Sequence, residues 1–170
     1  MLLKESDINN IKENKVCLVK NFVSLNDTYD FNFISNLLEE NDLKVVSKTS
    51  IGYFKDVFQI HRLVNVRKEF TVFFDFLRKL FKYEINEKDE VDLFFSLVSQ
   101  VGNTHFDIED VFIIGLNGKT IYRVFDIKNK DYCVEKGDMI FIPRGKKHKV
   151  LSMSPRIVAS IGFYGKRLKN

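Results

Sequence analysis

The chain has 170 residues and contains enough hydrophobic residues, 45%, to bury the core of one domain of ordinary size. This composition excludes a disordered tail, a collagen-like fibre and a small disulfide-stapled module. The net charge is +4, yet the chain from Met139 onward contains no Asp or Glu and carries eight Lys and Arg residues. A positive segment of this kind favours an anionic partner or an acidic surface on the substrate.

The two cysteines, Cys17 and Cys133, are far apart and match no CxxC spacing, which predicts reduced thiols and a cytoplasmic location. No apolar run approaches the ~20 residues of a membrane span, so we expect no membrane association. The first residues, MLLKESDINN, do not resemble a signal peptide.

The first half of the chain predicts one strand and two helices. The run VCLVK at 16–20 is typical of a short strand. Apolar residues spaced from Phe31 to Leu38 predict a helix with Asp30 as its N-cap. A second helix is predicted over 66–82, where a stripe of Phe and Leu residues shares one face; we interpret that stripe as core packing.

After Asn86 the pattern changes to short β-rich runs. The predicted strand runs are 91–101, 110–116, 119–125, 132–144 and 156–163. Asn117-Gly118 between two such runs is a strong hairpin signal. The sequence therefore predicts an α+β, mainly β fold, a jelly-roll barrel with N-terminal helices. We expect a single domain over 1–170, with a strand and helical cap at 1–90 and the core barrel at 91–165.

Three residues have the side chains expected of a metal site. His105 and Asp107 lie two apart on a predicted strand and so project from the same face, and His148 follows the turn-like Pro143-Arg144-Gly145. Two imidazoles and one carboxylate form the facial triad that holds non-haem Fe(II). A closed zinc site would need a further ligand, and Cys133, the candidate, matches no zinc spacing.

The strings VGNTHFDIEDVFIIGLNGKTIYRVF and EKGDMIFIPRGKKHKVLSMSPRIVASIGF resemble the JmjC and cupin-like Fe(II)/2-oxoglutarate oxygenases, especially the ribosomal oxygenase branch. The resemblance spans about 95–163 and implies a double-stranded β-helix. It implies that His105, Asp107 and His148 bind the iron, that 2-oxoglutarate and O₂ are co-substrates, and that no catalytic side chain is needed beyond the metal ligands. The implied reaction is hydroxylation of a protein side chain or a small molecule.

The same families place a basic residue one strand later, where it anchors the distal carboxylate of 2-oxoglutarate. In this chain that position is Thr120, and the neighbouring Lys119 should point to the opposite face. Arg156 is a candidate replacement because a guanidinium pairs with both oxygens of a carboxylate; a surface residue at the start of a strand is the alternative. Thr120 and Tyr122 share a face and are further candidates for the same carboxylate. Asn103 is a candidate for co-substrate or substrate contact, with a polar residue at the end of a strand as the alternative.

Other hypotheses stay open at this point. The departure at Thr120 also fits a metal-binding cupin without oxygenase activity, or a cupin enzyme that does not use 2-oxoglutarate. Asp110 is a candidate partner for a ligand imidazole, with an ordinary turn residue as the alternative. His61 is expected to be structural or exposed. Basic and aromatic residues do not interleave, which argues against nucleic-acid binding, and we expect a homodimer formed through sheet edges.

Overall fold

The structure is a computed structural model that describes residues 1–26, 28–40, 45–46, 60–64, 66–99, 101–152 and 154–168. Within these residues the helices are α1 (Glu5–Lys12), α2 (Phe31–Glu40) and α3 (Thr71–Phe81). The strands are β1 (Cys17–Val19), β2 (Val45–Val46), β3 (His61–Leu63), β4 (Glu90–Ser96), β5 (Asp110–Asn117), β6 (Lys119–Val124), β7 (Lys130–Glu135), β8 (Met139–Ile142), β9 (His148–Ser152) and β10 (Arg156–Phe163). None of the helices in this part of the chain is long and apolar enough to cross a membrane.

The strands form two antiparallel sheets. The large sheet has seven strands in the order β1-β8-β5-β10-β4-β3-β2, and the small sheet has three in the order β7-β6-β9. Single bridges join Val101 to Leu151 and His105 to His148, so an irregular segment runs along the free side of β9. The predicted mainly-β jelly roll with N-terminal helices is confirmed, and its two sheets face each other as a sandwich.

The large sheet has a hydrophobic core on each face because apolar residues occupy both parities of its central strands. On β5, Phe112 and Ile114 pack with the helices, whereas Val111 and Ile113 face the small sheet. The core between the sheets consists of Val111, Ile113, Tyr122, Val134, Ile140, Ile142 and Val158. Polar residues within this inner core are therefore candidates for a role other than packing.

Helix α3 covers the outer face of the large sheet with the predicted aromatic stripe. The rings of Phe74 and Phe163 have centroids 4.9 Å apart, and those of Phe81 and Phe112 are 5.5 Å apart. The interpretation of the stripe as core is confirmed. The helix begins at Thr71 rather than at 66, because residues 67–70 form turns ahead of it.

The sequence pattern predicted one of the two other helices but not the other. The backbone N–H of Phe33 donates to the Asp30 Oδ1 at 3.0 Å, so the predicted N-cap of α2 is confirmed. Helix α1 was not predicted, and its one fully buried residue, Ile11, explains why it leaves almost no apolar periodicity.

The hairpin predicted at Asn117-Gly118 is wrong. Strands β5 and β6 belong to different sheets, so this turn carries the chain across the sandwich instead of folding it back within one sheet. Gly118 has a φ of 69°, and a Cβ atom there would lie 2.0 Å from the Pro155 carbonyl oxygen. The turn therefore requires glycine for two reasons, its backbone conformation and the closeness of the main chain at Pro155, just before β10.

Two predicted strand runs also change. The run 132–144 divides at Gly137 into β7 and β8, which lie in opposite sheets. The run 91–101 ends as a strand at Ser96; its residue 100 lies outside the described residues. The irregular segment that follows carries the first two residues of the predicted metal site.

Candidate metal centre

The candidate centre is built where the irregular segment meets β9. The backbone N–H of His105 donates to the His148 carbonyl at 2.9 Å, and the N–H of His148 donates back to the His105 carbonyl at 2.8 Å. The Gly145 N–H donates to the Asp107 carbonyl at 2.7 Å. His105 makes only an isolated bridge and Asp107 lies beyond it, so the regular strand predicted for this pair is absent from the described residues 101–109.

The three side chains share one focus. The Nε2 atom of His105 lies 3.7 Å from an Asp107 carboxylate oxygen, and the Nε2 atom of His148 lies 3.5 Å from the other. One donor atom from each residue lies within 4.8 Å of the other two. Bonds of about 2.1 Å to one divalent ion place neighbouring donors roughly 3 to 3.5 Å apart, so closing this group on an ion requires only small side-chain movements.

The main chain fixes the orientation of both imidazoles. The His105 Nδ1 lies 2.8 Å from the Asn103 carbonyl oxygen, and the His148 Nδ1 lies 3.0 Å from the Lys146 carbonyl oxygen. A carbonyl can only accept, so each Nδ1 carries a proton, and in the neutral form of each ring the lone pair is on the Nε2 that faces Asp107. This is the tautomer that a metal ligand needs.

The three residues of the centre differ in burial, and burial affects the charge of His148. His148 is only 3% exposed, and burial lowers its pKa, against the opposing effects of the Lys146 carbonyl and the Asp107 carboxylate. A neutral imidazole is the form that binds metal. The side chains of His105 and Asp107 are 46% and 25% exposed, so the centre opens to solvent on their side.

Arg156 lies in the same sandwich and has an unusual environment. It is 1% exposed, opens β10 opposite Ser96 of β4, and donates from Nη1 to the Thr120 hydroxyl at 3.2 Å. Its Nε–H has no hydrogen-bond partner among the described residues. Within the same residues no carboxylate lies in ion-pair distance of this guanidinium, which is an unfavourable state for a buried cation.

Strand β6 connects Arg156 to the metal centre. Thr120 and Tyr122 are buried on its inner face, and Val124 on the same face pairs with His148 of β9. Burial raises the pKa of the Tyr122 hydroxyl, and the nearby Arg156 guanidinium partly offsets that effect. Lys119 is exposed, on the opposite parity from Thr120. The structure therefore brings Arg156, Thr120 and Tyr122 together on the inner face. The same strand leads from them to Val124, which pairs with His148 of the metal group.

Asn103 and Asp110 differ in how they relate to the centre. The Asn103 side chain is exposed, and the residue contributes its main-chain carbonyl to His105. The Asp110 carboxylate accepts from the Tyr83 hydroxyl at 2.8 Å and from the Arg144 backbone N–H at 3.0 Å, and the Nδ1 atoms of both imidazoles face main-chain carbonyls instead. The prediction that Asp110 orients a ligand imidazole is wrong because β5 turns its carboxylate toward the helix side of the large sheet.

Carboxylates near Asp107 were missed by the sequence analysis. Burial raises the pKa values of Glu109 and Glu90, and the negative charge of Asp107 adds to both effects. Glu90 accepts a hydrogen bond from the Tyr164 hydroxyl at 3.3 Å. The signal was present in β4, EVDLFFS, where acidic residues alternate with Val91 and Leu93 and so share one face of the strand.

Comparison with known proteins gives a match at the level of structure alone. No protein-family model matches the chain, and a search of curated proteins finds no match. Among solved structures, the X-ray structure of Escherichia coli ycfD superposes on 100% of this chain and 54% of its own, with a TM-score of 0.72 at 18% identity. A mutant of the Bacillus subtilis oxalate decarboxylase OxdC covers 78% of this chain and 30% of its own, with a TM-score of 0.50 at 15% identity.

A second YcfD structure bears on the site. It is described as a ribosomal oxygenase in complex with cobalt and 2-oxoglutarate, and it matches 92% of this chain and 49% of its own with a TM-score of 0.65 at 20% identity. The present chain thus spans about half the length of the YcfD chains. The predicted resemblance to the ribosomal oxygenases is confirmed in the fold, and the chain has the jelly-roll architecture of YcfD.

Proposed function

We propose that this protein is an Fe(II)- and 2-oxoglutarate-dependent oxygenase that hydroxylates a protein side chain or a small molecule. His105, Asp107 and His148 would hold the iron, and Arg156, with Thr120 and Tyr122, would bind the distal carboxylate of 2-oxoglutarate. The observation that carries the proposal is the buried Arg156 guanidinium, which pairs with no carboxylate of the described residues and lies on the inner surface shared with the His-Asp-His group.

The donor set fits iron. Two imidazole nitrogens and one carboxylate converge, and they leave further coordination positions free for a bidentate co-substrate and O₂. Bound Fe(II) supplies O₂ activation coupled to oxidative decarboxylation of 2-oxoglutarate to succinate and CO₂. The protein contributes orientation: the carbonyls of Asn103 and Lys146 hold both imidazoles, and Asp107 offsets part of the metal charge.

Arg156 has the chemistry needed to bind one carboxylate of a dicarboxylate. A guanidinium donates two parallel hydrogen bonds to a carboxylate, and the Nε–H, which has no partner among the described residues, is one of the donors that such a pair uses. The Thr120 hydroxyl, already in contact with Arg156 at 3.2 Å, is a second group in reach of the same carboxylate. Pairing with an anion would remove the penalty of burying an unpartnered cation.

The apolar residues between the sheets give the co-substrate a dry environment. Ile113, Ile140 and Val158 of the large sheet face Tyr122 and Val134 of the small sheet, and each is at most 6% exposed. Excluding water strengthens the Arg156–carboxylate attraction and protects reactive species from solvent. The Ile and Val side chains supply no acid or base, so the chemistry would rest with the bound metal.

The substrate would approach on the solvent side, beside His105. The negative charge of Asp107 contributes to the raised pKa values of Glu90 and Glu109, and Arg62 pairs with Glu90 at 3.3 Å, so this side of the centre carries charges of both signs. The basic segment after Met139 includes Lys147 and Lys149 on either side of His148, and it would attract an acidic surface on the substrate.

Anaerobic titration tests the proposal. Fe(II) and 2-oxoglutarate together should give the weak visible metal-to-ligand band of a chelated keto acid, which neither gives alone. Admitting O₂ should then convert 2-oxoglutarate to succinate, followed by proton NMR. Asp107→Ala should lose both signals, and Asp131→Ala, an exposed acid on β7, should keep them. Binding of metal without the band would overturn the proposal and leave a metal-binding cupin module.

A further inference from the structure

A large cavity lies outside the sandwich, and the loop 143–146 separates it from the candidate metal centre. It has a volume of about 1060 Å³ and forms where the ends of α1 and α3 meet the loop 143–146 and the segment 166–168. None of His105, Asp107 and His148 lines it. Its walls therefore belong to a different surface from the proposed oxygenase site.

Cations dominate this cavity. Six of its lining residues are basic: Lys12, Lys82, Arg144, Lys146, Lys166 and Arg167. The one carboxylate among the described residues that line it, Asp110, is buried and already accepts hydrogen bonds from Tyr83 and Arg144. These charges come from four segments of the chain, so the fold assembles a positive field that no short stretch of sequence contains.

A second cavity continues the positive surface. It has a volume of about 290 Å³ and shares Asn14 and Lys146 with the first. It adds Lys15, Lys128 and Lys130 to the basic lining. Its carboxylate, Asp126, is exposed and pairs with Lys146 at 2.7 Å. The two cavities together form one basic trough, which is the name used below for this surface.

An aromatic ring lies among the lysines of the second cavity. Tyr132 lines it and is half-buried, and the Lys130 ammonium lies 4.8 Å from the ring centroid. Single-stranded nucleic acids are bound by this combination, since lysines follow the phosphates and aromatic rings stack on bases. A protein partner would instead need a cluster of exposed apolar anchors, and Leu168 is the one strongly exposed apolar residue among the described residues of the trough.

We propose that the basic trough binds single-stranded nucleic acid through its phosphodiester backbone, with little preference for sequence. The proposal goes beyond the oxygenase activity and does not depend on it. It reverses the expectation from the sequence, which found no interleaving of basic and aromatic residues, because the lysines converge only in the folded chain. The loop 143–146 borders the trough and leads directly into His148, so a bound strand would lie near the metal centre.

Fluorescence anisotropy with a labelled twelve-nucleotide oligouridylate tests the proposal. We expect a dissociation constant of about 1–100 µM at 50 mM salt. Four phosphate contacts give a logarithmic salt slope of about −0.7 × 4, or roughly 50-fold weaker binding at 200 mM. Lys12→Glu with Lys166→Glu removes two exposed trough cations and should weaken binding at least tenfold and flatten the slope by about 1.4.

The matched control changes net charge equally outside the trough. Lys68→Glu with Lys88→Glu alters two exposed lysines that line neither cavity, and binding should change less than twofold. Circular dichroism and Co(II) binding check that each variant is folded. Three results would each overturn the proposal. The two double variants could weaken binding equally, the wild-type protein could leave the anisotropy of the labelled RNA unchanged at 50 mM salt, or the protein could bind a twelve-residue oligoglutamate equally tightly.

Discussion

Replacing Arg156 with methionine separates a ligand-binding arginine from a structural one. Methionine has a similar length and no charge, so Arg156→Met removes a buried cation without leaving a large cavity. The loss of the 3.2 Å hydrogen bond to Thr120 costs about 1 kcal/mol. Exchanging buried charged groups for apolar side chains of similar volume is neutral or stabilising by about 1–4 kcal/mol. The free protein should therefore keep its stability or gain up to about 2 kcal/mol.

The ligand should respond in the opposite direction. Truncating one partner of a buried, hydrogen-bonded charge pair costs about 2–5 kcal/mol, so the dissociation constant of 2-oxoglutarate should rise about 30-fold or more. At a concentration 100 times the wild-type dissociation constant, 2-oxoglutarate stabilises the wild-type protein by about 2.7 kcal/mol. The same concentration would stabilise Arg156→Met by about 0.9 kcal/mol or less.

Thermal unfolding with Co(II), with and without 2-oxoglutarate, measures both effects. One kcal/mol corresponds to about 2–4 °C for a chain of this size. We expect a ligand-induced rise of roughly 5–10 °C for the wild type and at most about 3.5 °C for Arg156→Met. Arg123→Met, at an exposed arginine paired with Asp131 on the outer face of β6, should keep the full rise. A variant that is strongly destabilised yet binds 2-oxoglutarate normally would refute the reasoning.

Further predictions concern the centre and its surroundings. His105→Ala should weaken Co(II) binding at least tenfold by isothermal calorimetry, whereas Asn103→Ala should change it less than twofold because His105 uses the main-chain carbonyl. Asp110→Asn should lower the free energy of unfolding in urea by about 3 kcal/mol, because it leaves nearby arginines without a buried carboxylate, and should leave Co(II) affinity unchanged. Burial raises the pKa of the Cys17 thiol to about 11, so iodoacetamide at pH 8 should alkylate Cys133 first, as peptide mass spectrometry would show; equal rates would contradict this.

The fold was largely readable from the sequence because its strands carry strong local patterns. The runs that became β5, β6 and β10 are dense in β-branched residues and sit between clear turn signals. Local patterns do not say which sheet a strand joins. The Asn117-Gly118 turn has the composition of a hairpin, yet its strands separate because each finds its neighbours elsewhere in the chain.

The site was readable to the extent that it depends on residue type. His105, Asp107 and His148 converge as their chemistry suggested, and Arg156 is buried beside Thr120. What could not be read is which atoms meet. The carbonyls of Asn103 and Lys146 have no residue-specific signature, and the partners of Asp110 depend on which face of β5 carries it.

Both imidazoles are oriented by the peptide oxygen two residues earlier in the chain, and every amino acid possesses that oxygen. The orientation of the two imidazole rings is thus independent of side-chain identity at positions 103 and 146. Substitution can reshape the approach to the centre at these positions, in charge, size or polarity, without a compensating change to keep the ligands in place. In the proposed oxygenase, metal binding and substrate choice would in this respect be free to diverge separately.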